Sequence, residues 1–281
     1  MDAAAESSIV IRDIGSRVEM RAVEELQKQV WSMPELDVVP LSHLAAAIHA
    51  GGVLIGAFDG EVLAGFVYGF VGKENATIVH HSHMLAVRPE YRSHDLGFRL
   101  KAAQRACVIE QGIEVMTWTF DPLQSLNAYF NFNKLGVTSE EYLVDFYGQD
   151  AASVLHRNGT DRLWVKWRLN SETVIDRLER KHPRGPSVGP PALLEIGEDD
   201  VPVMADPDEV LAGQSVAIEI PADINTLQRE DAGLARDWRI ATRSAFLDAV
   251  GRGFVVEDFY RTGLTDCQIG TYVLNRRGSP G

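Results

Sequence analysis

The sequence predicts an α+β fold built around a mixed α/β sheet, and three observations carry that prediction. The stretch Ile78 to Leu100, IVHHSHMLAVRPEYRSHDLGFRL, reads as strand, polar turn and helix start. Ile78 to Val87 is rich in apolar and β-branched residues, Pro89 ends the ladder because it has no N–H to donate, and Leu96, Leu100, Ala103 and Cys107 then recur at helical spacing. Asp59-Gly60 between two apolar runs is a hairpin signal. Amphipathic helical segments alternate with strands throughout residues 9–169.

In order, Ile9 to Ile14 reads as a strand, and Val18 to Trp31 as a helix with Val23, Leu26, Val30 and Trp31 on one side. Ser32 to Pro40 is a loop, and Leu41 to Ala50 a second helix closed by Gly51-Gly52. Val53 to Phe58 and Leu63 to Val71 form the hairpin strands. After the central strand and helix come a strand Glu114 to Phe120, a helix Leu123 to Leu135 stopped by Gly136, and strands Tyr142 to Tyr147 and Arg162 to Leu169.

The chain has 281 residues, enough for one large domain or two modest ones, and its 45% hydrophobic and 24% charged residues suit a globular protein. A formal net charge of -13 argues against nucleic acid or anionic membranes as partners. Cys107 and Cys267 stand far apart, as free thiols in a reducing compartment do. MDAAAESS carries no basic and apolar leader pattern, and no apolar run reaches membrane-spanning length, so a cytoplasmic location is expected.

The turn Tyr91 to Asp95 before the helix at Leu96 is a geometry that holds anions. The first N–H groups of a helix lack internal partners and the dipole there favours negative charge. Gly97 permits close approach of backbone and Arg92 adds a fixed positive charge. An ordinary tight connection between strand and helix is the alternative. Upstream, His80, His81 and His83 crowd one strand. Alternation sets His81 and His83 with Leu85 and Val87 on one face, and His80 on the other. Imidazole titrates near neutral pH and accepts an ammonium proton directly or through water. Hydrogen-bonded sheet residues are an equal alternative, and two imidazoles on one face without a third ligand are weak grounds for a metal.

Val87-Arg88-Pro89-Glu90-Tyr91-Arg92 followed by Leu96-Gly97-Phe98-Arg99-Leu100 resembles motif A of the GNAT acyltransferases, Arg/Gln-x-x-Gly-x-Gly/Ala, here Arg92-Ser93-His94-Asp95-Leu96-Gly97. The resemblance covers roughly the first 60% of the chain and implies a loop that wraps the pyrophosphate of acetyl-CoA or another acyl-CoA. Asp95 stands at the first glycine of the motif; its carboxylate should point away from the pyrophosphate, for example as a cap of the next helix. The resemblance further implies that backbone N–H groups near Leu85, Ala86 and Val87 hold the pantetheine and the thioester oxygen. It implies a basic residue on this strand at His81, and a tyrosine acid where Phe132 stands, with Tyr129 one turn earlier as substitute. Asn127 is placed either to hydrogen-bond CoA or, with Ser125, to cap its helix. The activity implied is N-acyl transfer, acetyl or succinyl, to a small amine or amino acid. A non-catalytic acyl-CoA-binding scaffold is the alternative, and a homodimer is left open.

Trp118 to Leu123, Asn127 to Asn131 and Lys134 to Val137 resemble a branch of uncharacterised GNAT acyltransferases with an extra C-terminal half, some of them associated with N-succinylamino acid metabolism. Residues 181–191 are rich in Pro and Gly and read as a linker between an acyltransferase domain, 1–180, and a partial repeat, 192–281. Asp145-Phe146-Tyr147 recurs as Asp258-Phe259-Tyr260, each after a helix ended by glycine, and Asp161 to Asn170 is echoed by Asp266 to Asn275. The C-terminal half is therefore expected to be a degenerate GNAT-like unit without a phosphate loop of its own. Its helix, Asp231 to Val250, sets Trp238, Thr242, Ala245, Phe246 and Ala249 on one face. Arg236, Arg239 and Arg243 share another, either solvated or open to a carboxylate.

Overall fold

The computed structural model describes residues 9–148, 158–181, 189–262 and 269–277. Cys267 and most of the linker lie outside them. The chain forms two compact units, one through Trp118 and one from Thr119 onward.

The first unit opens with strand β1 (Val10–Asp13) and helix α1 (Arg17–Trp31). Ser16 Oγ accepts the Glu19 amide while Glu19 accepts the Ser16 amide, a reciprocal cap of two otherwise unpaired donors. Helix α2 (Leu41–His49) follows, then strands β2 (Val53–Asp59), β3 (Val62–Glu74) and β4 (Thr77–Val87), helix α3 (Leu96–Glu110) and β5 (Val115–Phe120). The strand order is β1-β2-β3-β4-β5; β1 to β4 pair antiparallel, and β4 pairs with β5 in parallel. Helices α1 and α2 cover one face, where Val23, Leu26 and Leu44 meet Leu54, Phe66, Tyr68 and Met84. Helix α3 packs on the other. Its buried side is Leu96, Leu100, Lys101, Gln104 and Val108, rotated from the expected side, and Ala103 and Cys107 are only half-buried.

The second unit holds the end of β5, then α4 (Ser125–Ala128), a π-helical turn Tyr129–Leu135, β6 (Thr138–Leu143), β7 (Arg162–Arg168) and α5 (Glu172–Leu178). The strand expected over Tyr142 to Tyr147 is corrected to β6: Asp145 has φ 47° and turns the chain away. The C-terminal half adds β8 (Ala192–Ile196), β9 (Pro202–Met204), α6 (Pro207–Val210), β10 (Ser215–Pro221), α7 (Ile224–Glu230), α8 (Ala232–Gly251), β11 (Phe254–Thr262) and β12 (Ile269–Arg276). From β7 the order is β7-β6-β11-β12-β10-β8-β9.

This order contains an internal two-fold relation. β6 pairs β7 with a bulge between Ser139 and Glu141, and β11 pairs β12 with a bulge between Val256 and Asp258. Each strand follows a glycine in the left-handed region, Gly136 at φ 72° and Gly253 at φ 83°. The two strands meet antiparallel at Ser139↔Val256, the residue before each bulge. The two bulged strand pairs correspond, but in a register that differs from the sequence echoes. Glu140 corresponds to Glu257, Tyr142 to Phe259 and Lys166 to Asn275, so Asp-Phe-Tyr and the Asp161 and Asp266 segments are not structural equivalents. β8 runs parallel to β10, as β4 does to β5, but β9 and α6 replace the long intervening helix.

Aromatic rings fill this unit's core. Tyr272 meets Phe132, Phe246 and Phe259 at 4.6–5.8 Å and donates to the Pro122 carbonyl at 2.6 Å. The face expected on α8, Trp238 to Ala249, is buried. The arginines are neither solvated as a set nor open. Arg239 Nη2 spans both Asp121 oxygens at 2.8 Å, and Arg243 holds Asp161 at 2.8 and 2.9 Å and Asp145 at 3.1 Å, while Arg236 alone is exposed. Burial raises the Asp161 carboxyl, but hydrogen bonds from Arg243, the Asp145 amide and Tyr142 outweigh it and hold the group below its ordinary value.

Candidate functional site

The site in the first unit is built from β4 and the turn that leads into α3. After Val87 the Arg88 amide bonds the Ala64 carbonyl at 2.9 Å and Arg88 Nε bonds the Leu63 carbonyl at 2.8 Å, so the turn is tied to the β2–β3 hairpin. Tyr91 donates to Asp59 Oδ2 at 2.8 Å from the same place. Pro89–His94, including Arg92 and the backbone of Ser93 and His94, form a 3-10 turn, and Asp95 follows in the left-handed region with φ 54° and ψ 24°. That conformation explains why a glycine suits this position: most side chains pay for positive φ, and Asp is among the few that tolerate it.

The expectation that Asp95 caps α3 is corrected. Its carboxylate makes no cap hydrogen bond; its backbone carbonyl accepts the Arg99 amide at 3.1 Å instead. The left-handed backbone turns the side chain out of capping position. The amides of Leu96 and Gly97, which open the helix, therefore have no side-chain cap, and the exposed Arg92 stands one turn earlier. An anion is the natural complement of such a helix start.

The expected alternation along β4 is also corrected. A register shift sets Tyr68 against Met84 but Gly69 against Ser82, so His83 is an extra residue. Met84 and Ala86 join the α1/α2 face, Leu85 and Val87 turn to the other, and His81 and His83 part from them. Gly69 leaves room for the bulge: a Cβ there would meet His80 Nε2 and lie 2.7 Å from the His81 carbonyl. The β4–β5 ladder is formed at His80↔Met116 and His81↔Thr117, while β4 continues to Val87.

His81 and His83 share a surface of rings with His43, Tyr68 and Phe70, whose centres lie 5.3–6.3 Å apart. Thr117 Oγ1 lies 3.2 Å from His81 Nδ1. Burial, then the neighbouring His83 and Lys101, pushes the His81 pKa down to about 4, so the ring is neutral at physiological pH. Burial and His43 lower His83 as well. His80 is separate from this surface. It is fully buried on the α3 side, accepts from Gln104 Nε2 at 3.3 Å, and is likewise pushed to about 4 by burial and then by Lys101 and His81.

Behind His80 lies a buried polar chain that the apolar spacing of the sequence does not announce. Lys101 donates to Ser82 Oγ at 2.9 Å, Ser82 donates to Gln104 Oε1 at 2.8 Å, and Gln104 reaches His80. Lys101 also lies 3.5 Å from the centre of the Trp118 ring, and burial lowers its pKa well below the ordinary value. Its signal was Lys101 and Gln104 three apart beside Leu100 and Val108, polar residues on a face that must be buried.

The remaining candidates belong to the second unit. Phe132 is fully buried against Phe120 and Tyr272. Tyr129 is half-buried at the start of the π-helical turn, and Asn127 is exposed. Neither Asn127 nor Ser125 caps α4: Gln124 occupies the cap position without a side-chain bond, and Ser125 is buried beside Gly270. Among the described residues no cluster of three or more His, Cys, Asp or Glu could hold a metal ion, and no helix is long and apolar enough to cross a membrane.

Residues 19–136 match the model of the acetyltransferase (GNAT) family. No curated protein matches the chain significantly. Solved structures similar to it include an aminoglycoside 6'-acetyltransferase type Ii, 19% identical, TM-score 0.46, covering 58% of this chain and 99% of that one. The aminoglycoside 6'-N-acetyltransferase from Enterococcus faecium is 16% identical, TM-score 0.44, covering 58% and 98%. The NatC complex bound to Gag peptide and CoA is 12% identical, TM-score 0.46, covering 57% and 98%. Residues 19–136, the stretch that carries the β4 bulge and the open start of α3, are thus similar to the GNAT acetyltransferase family.

Proposed function

We propose that the chain is an acyl-CoA-dependent N-acyltransferase, acetyl or succinyl, acting on a small amine or amino acid by direct attack in a ternary complex. The single observation that carries the reading is the start of α3, where the Leu96 and Gly97 amides have no side-chain cap and Arg92 stands beside them. These groups receive the diphosphate of the acyl-CoA. Asp95, Ser93 and His94 belong to the same loop, with the Asp95 carboxylate kept off the anion. Backbone groups at Leu85, Ala86 and Val87, paired with β3 on one side, receive the pantetheine and the thioester oxygen on the other.

In the reaction, the amine nitrogen attacks the thioester carbonyl carbon, a C–N bond forms and the C–S bond breaks. The ammonium proton passes to His81 or, through water, to His83, and the CoA thiolate leaves. Tyr129 is the candidate donor to that thiolate and Asn127 a candidate CoA contact. A thiolate, being a modest base, leaves readily without a dedicated acid.

Isothermal titration with acetyl-CoA and desulpho-CoA tests the binding half. Arg92→Ala is expected to weaken both at least several-fold, and unchanged affinity removes the loop from the reading. Thiol release with a panel of amines tests turnover. The buried Phe132, which offers no proton, favours a second reading as a non-catalytic acyl-CoA-binding scaffold; tight binding without release from any amine selects it.

A further inference from the structure

A groove of about 480 Å³ lies wholly within the second unit, at its internal two-fold relation. Thr138, Lys166 and Arg168 of the first strand pair line one flank, and Glu257, Asp258 and Asn275 of the second line the other. Gly136, Ser171 and Thr173 bring the start of α5 against it. The volume is within the range of small-molecule pockets, roughly 300–1,000 Å³. Its lining is cationic on one flank, anionic on the other and rich in hydroxyl and amide groups between.

The equivalences of the repeat show what has diverged here. Glu140 is engaged by Arg277 and by Arg168 at 3.7 Å. Its counterpart Glu257 meets an amide, Asn275 Nδ2, at 2.7 Å and faces the groove. Where Asn275 stands in one half, Lys166 stands in the other, so at this register position one strand pair brings a cation and the other a neutral amide. Asp258 is anchored by Arg177 Nη2 at 3.3 Å; burial raises its pKa and this contact only partly offsets that. Arg177 Nε, also buried, has no hydrogen-bond partner. Gly136 clears the space: a Cβ there would lie 3.0 Å from Arg177 Cγ and 3.3 Å from Thr173 Cγ2.

We propose that this groove is a binding site for a free α-amino acid. Lys166 and Arg168 take its carboxylate, and Glu257 with Asp258 takes its ammonium group. Opposite charges on the two strand pairs that line the groove select a zwitterion over an ion of either sign, because a lone anion or cation leaves one of them unmatched. The site stands on the second unit alone and does not depend on the acyl-transfer reading.

Titration calorimetry of the full chain with L-alanine, L-lysine and L-glutamate, without acyl-CoA, tests it. At least one should bind with Kd about 1 mM or tighter. The amide of that amino acid, lacking the carboxylate, and its N-acetyl form, lacking the ammonium, should each bind at least about tenfold more weakly, since each loses one charged partner. Lys166→Ala and Glu257→Gln, both on accessible strand positions, should each weaken the amino acid about tenfold with the melting temperature nearly unchanged; the second covers the case in which the first misfolds. No saturable binding up to about 10 mM overturns the proposal. Equal binding of the amide and N-acetyl forms, tighter binding of inorganic phosphate or spermidine, or affinity untouched by both substitutions also overturns it.

Discussion

His81 is the side chain on which the chemistry is most exposed to test. Its neutral ring accepts a proton at any pH above about 4, but a base so weak contributes through position more than through affinity for the proton. His81→Ala is expected to lower kcat by on the order of 100-fold with CoA affinity unchanged, because general-base groups contribute in that range; full activity from pH 6 to 9 clears His81 of the role. His80 makes a different prediction. Unfolded, its imidazole binds a proton below about 6.5; folded, only below about 4. Between those values the unfolded chain carries more protons, so stability is complete above the upper value and falls as pH drops toward the lower. The effect is about 3 kcal/mol for one fully buried ring. In His80→Gln, which keeps a partner for Gln104, urea midpoints between pH 4 and 6.5 should decline less steeply than in the parent chain; an identical decline assigns the acid sensitivity elsewhere. The three histidines were legible as a cluster, since residue type and spacing are printed in the sequence. So was the division of His80 from His81 and His83; the parting of that pair from Leu85 and Val87 was not. The bulge at His83 depends on Gly69 of the neighbouring strand and on the way Tyr68 packs, neither of which the local alternation contains.

Asp95 decides how well the turn before α3 works. A left-handed non-glycine residue carries a conformational cost, and a carboxylate beside a bound diphosphate adds repulsion. Asp95→Gly relieves both, although the unfolded chain gains freedom. The two conformational terms nearly cancel, so stability should change by less than about 1 kcal/mol. CoA affinity should rise several-fold and fall more steeply with added salt, since one repulsive charge is gone; weaker binding would mean that Asp95 orders the loop in a way glycine does not. The strand, turn and helix order was readable because Pro89 and the apolar spacing mark it. The capping role given to Asp95 failed because its backbone conformation, invisible in composition, points the carboxylate elsewhere. The helix face failed for a related reason: Lys101 and Gln104 look like surface residues until Ser82 and His80 are placed opposite them.

In the molecule as a whole, the C-terminal half is bound into the second unit by buried charge as well as by rings. Asp121, in the N-terminal part of the chain, has both oxygens on Arg239 of α8, and Asp161 is held by Arg243 of the same helix. The relation between the two strand pairs was legible in sequence only as two glycines that each end a helix. Its register was not, because a two-fold relation is fixed by strand pairing at Ser139↔Val256 and by two bulges rather than by matching letters. A linker after Lys181 invites the expectation that the first 181 residues fold alone. The packing argues otherwise. Without the second half, Asp121 and Asp161 remain as buried carboxylates without their arginines, Phe132 loses Tyr272, and the edge of β6 is bare. Losing one partner of a buried pair costs about 3–5 kcal/mol, comparable to the whole stability of many domains. A chain ending at residue 181 should therefore be insoluble or lack a cooperative melt. In the full-length chain Arg239→Ala should lower stability by about 3 kcal/mol or more, while Asp121→Asn combined with Arg239→Gln should recover a measurable part of it, because the uncompensated charge is gone. A soluble 1–181 fragment that melts cooperatively near the temperature of the full chain would show that the N-terminal part stands without these contacts.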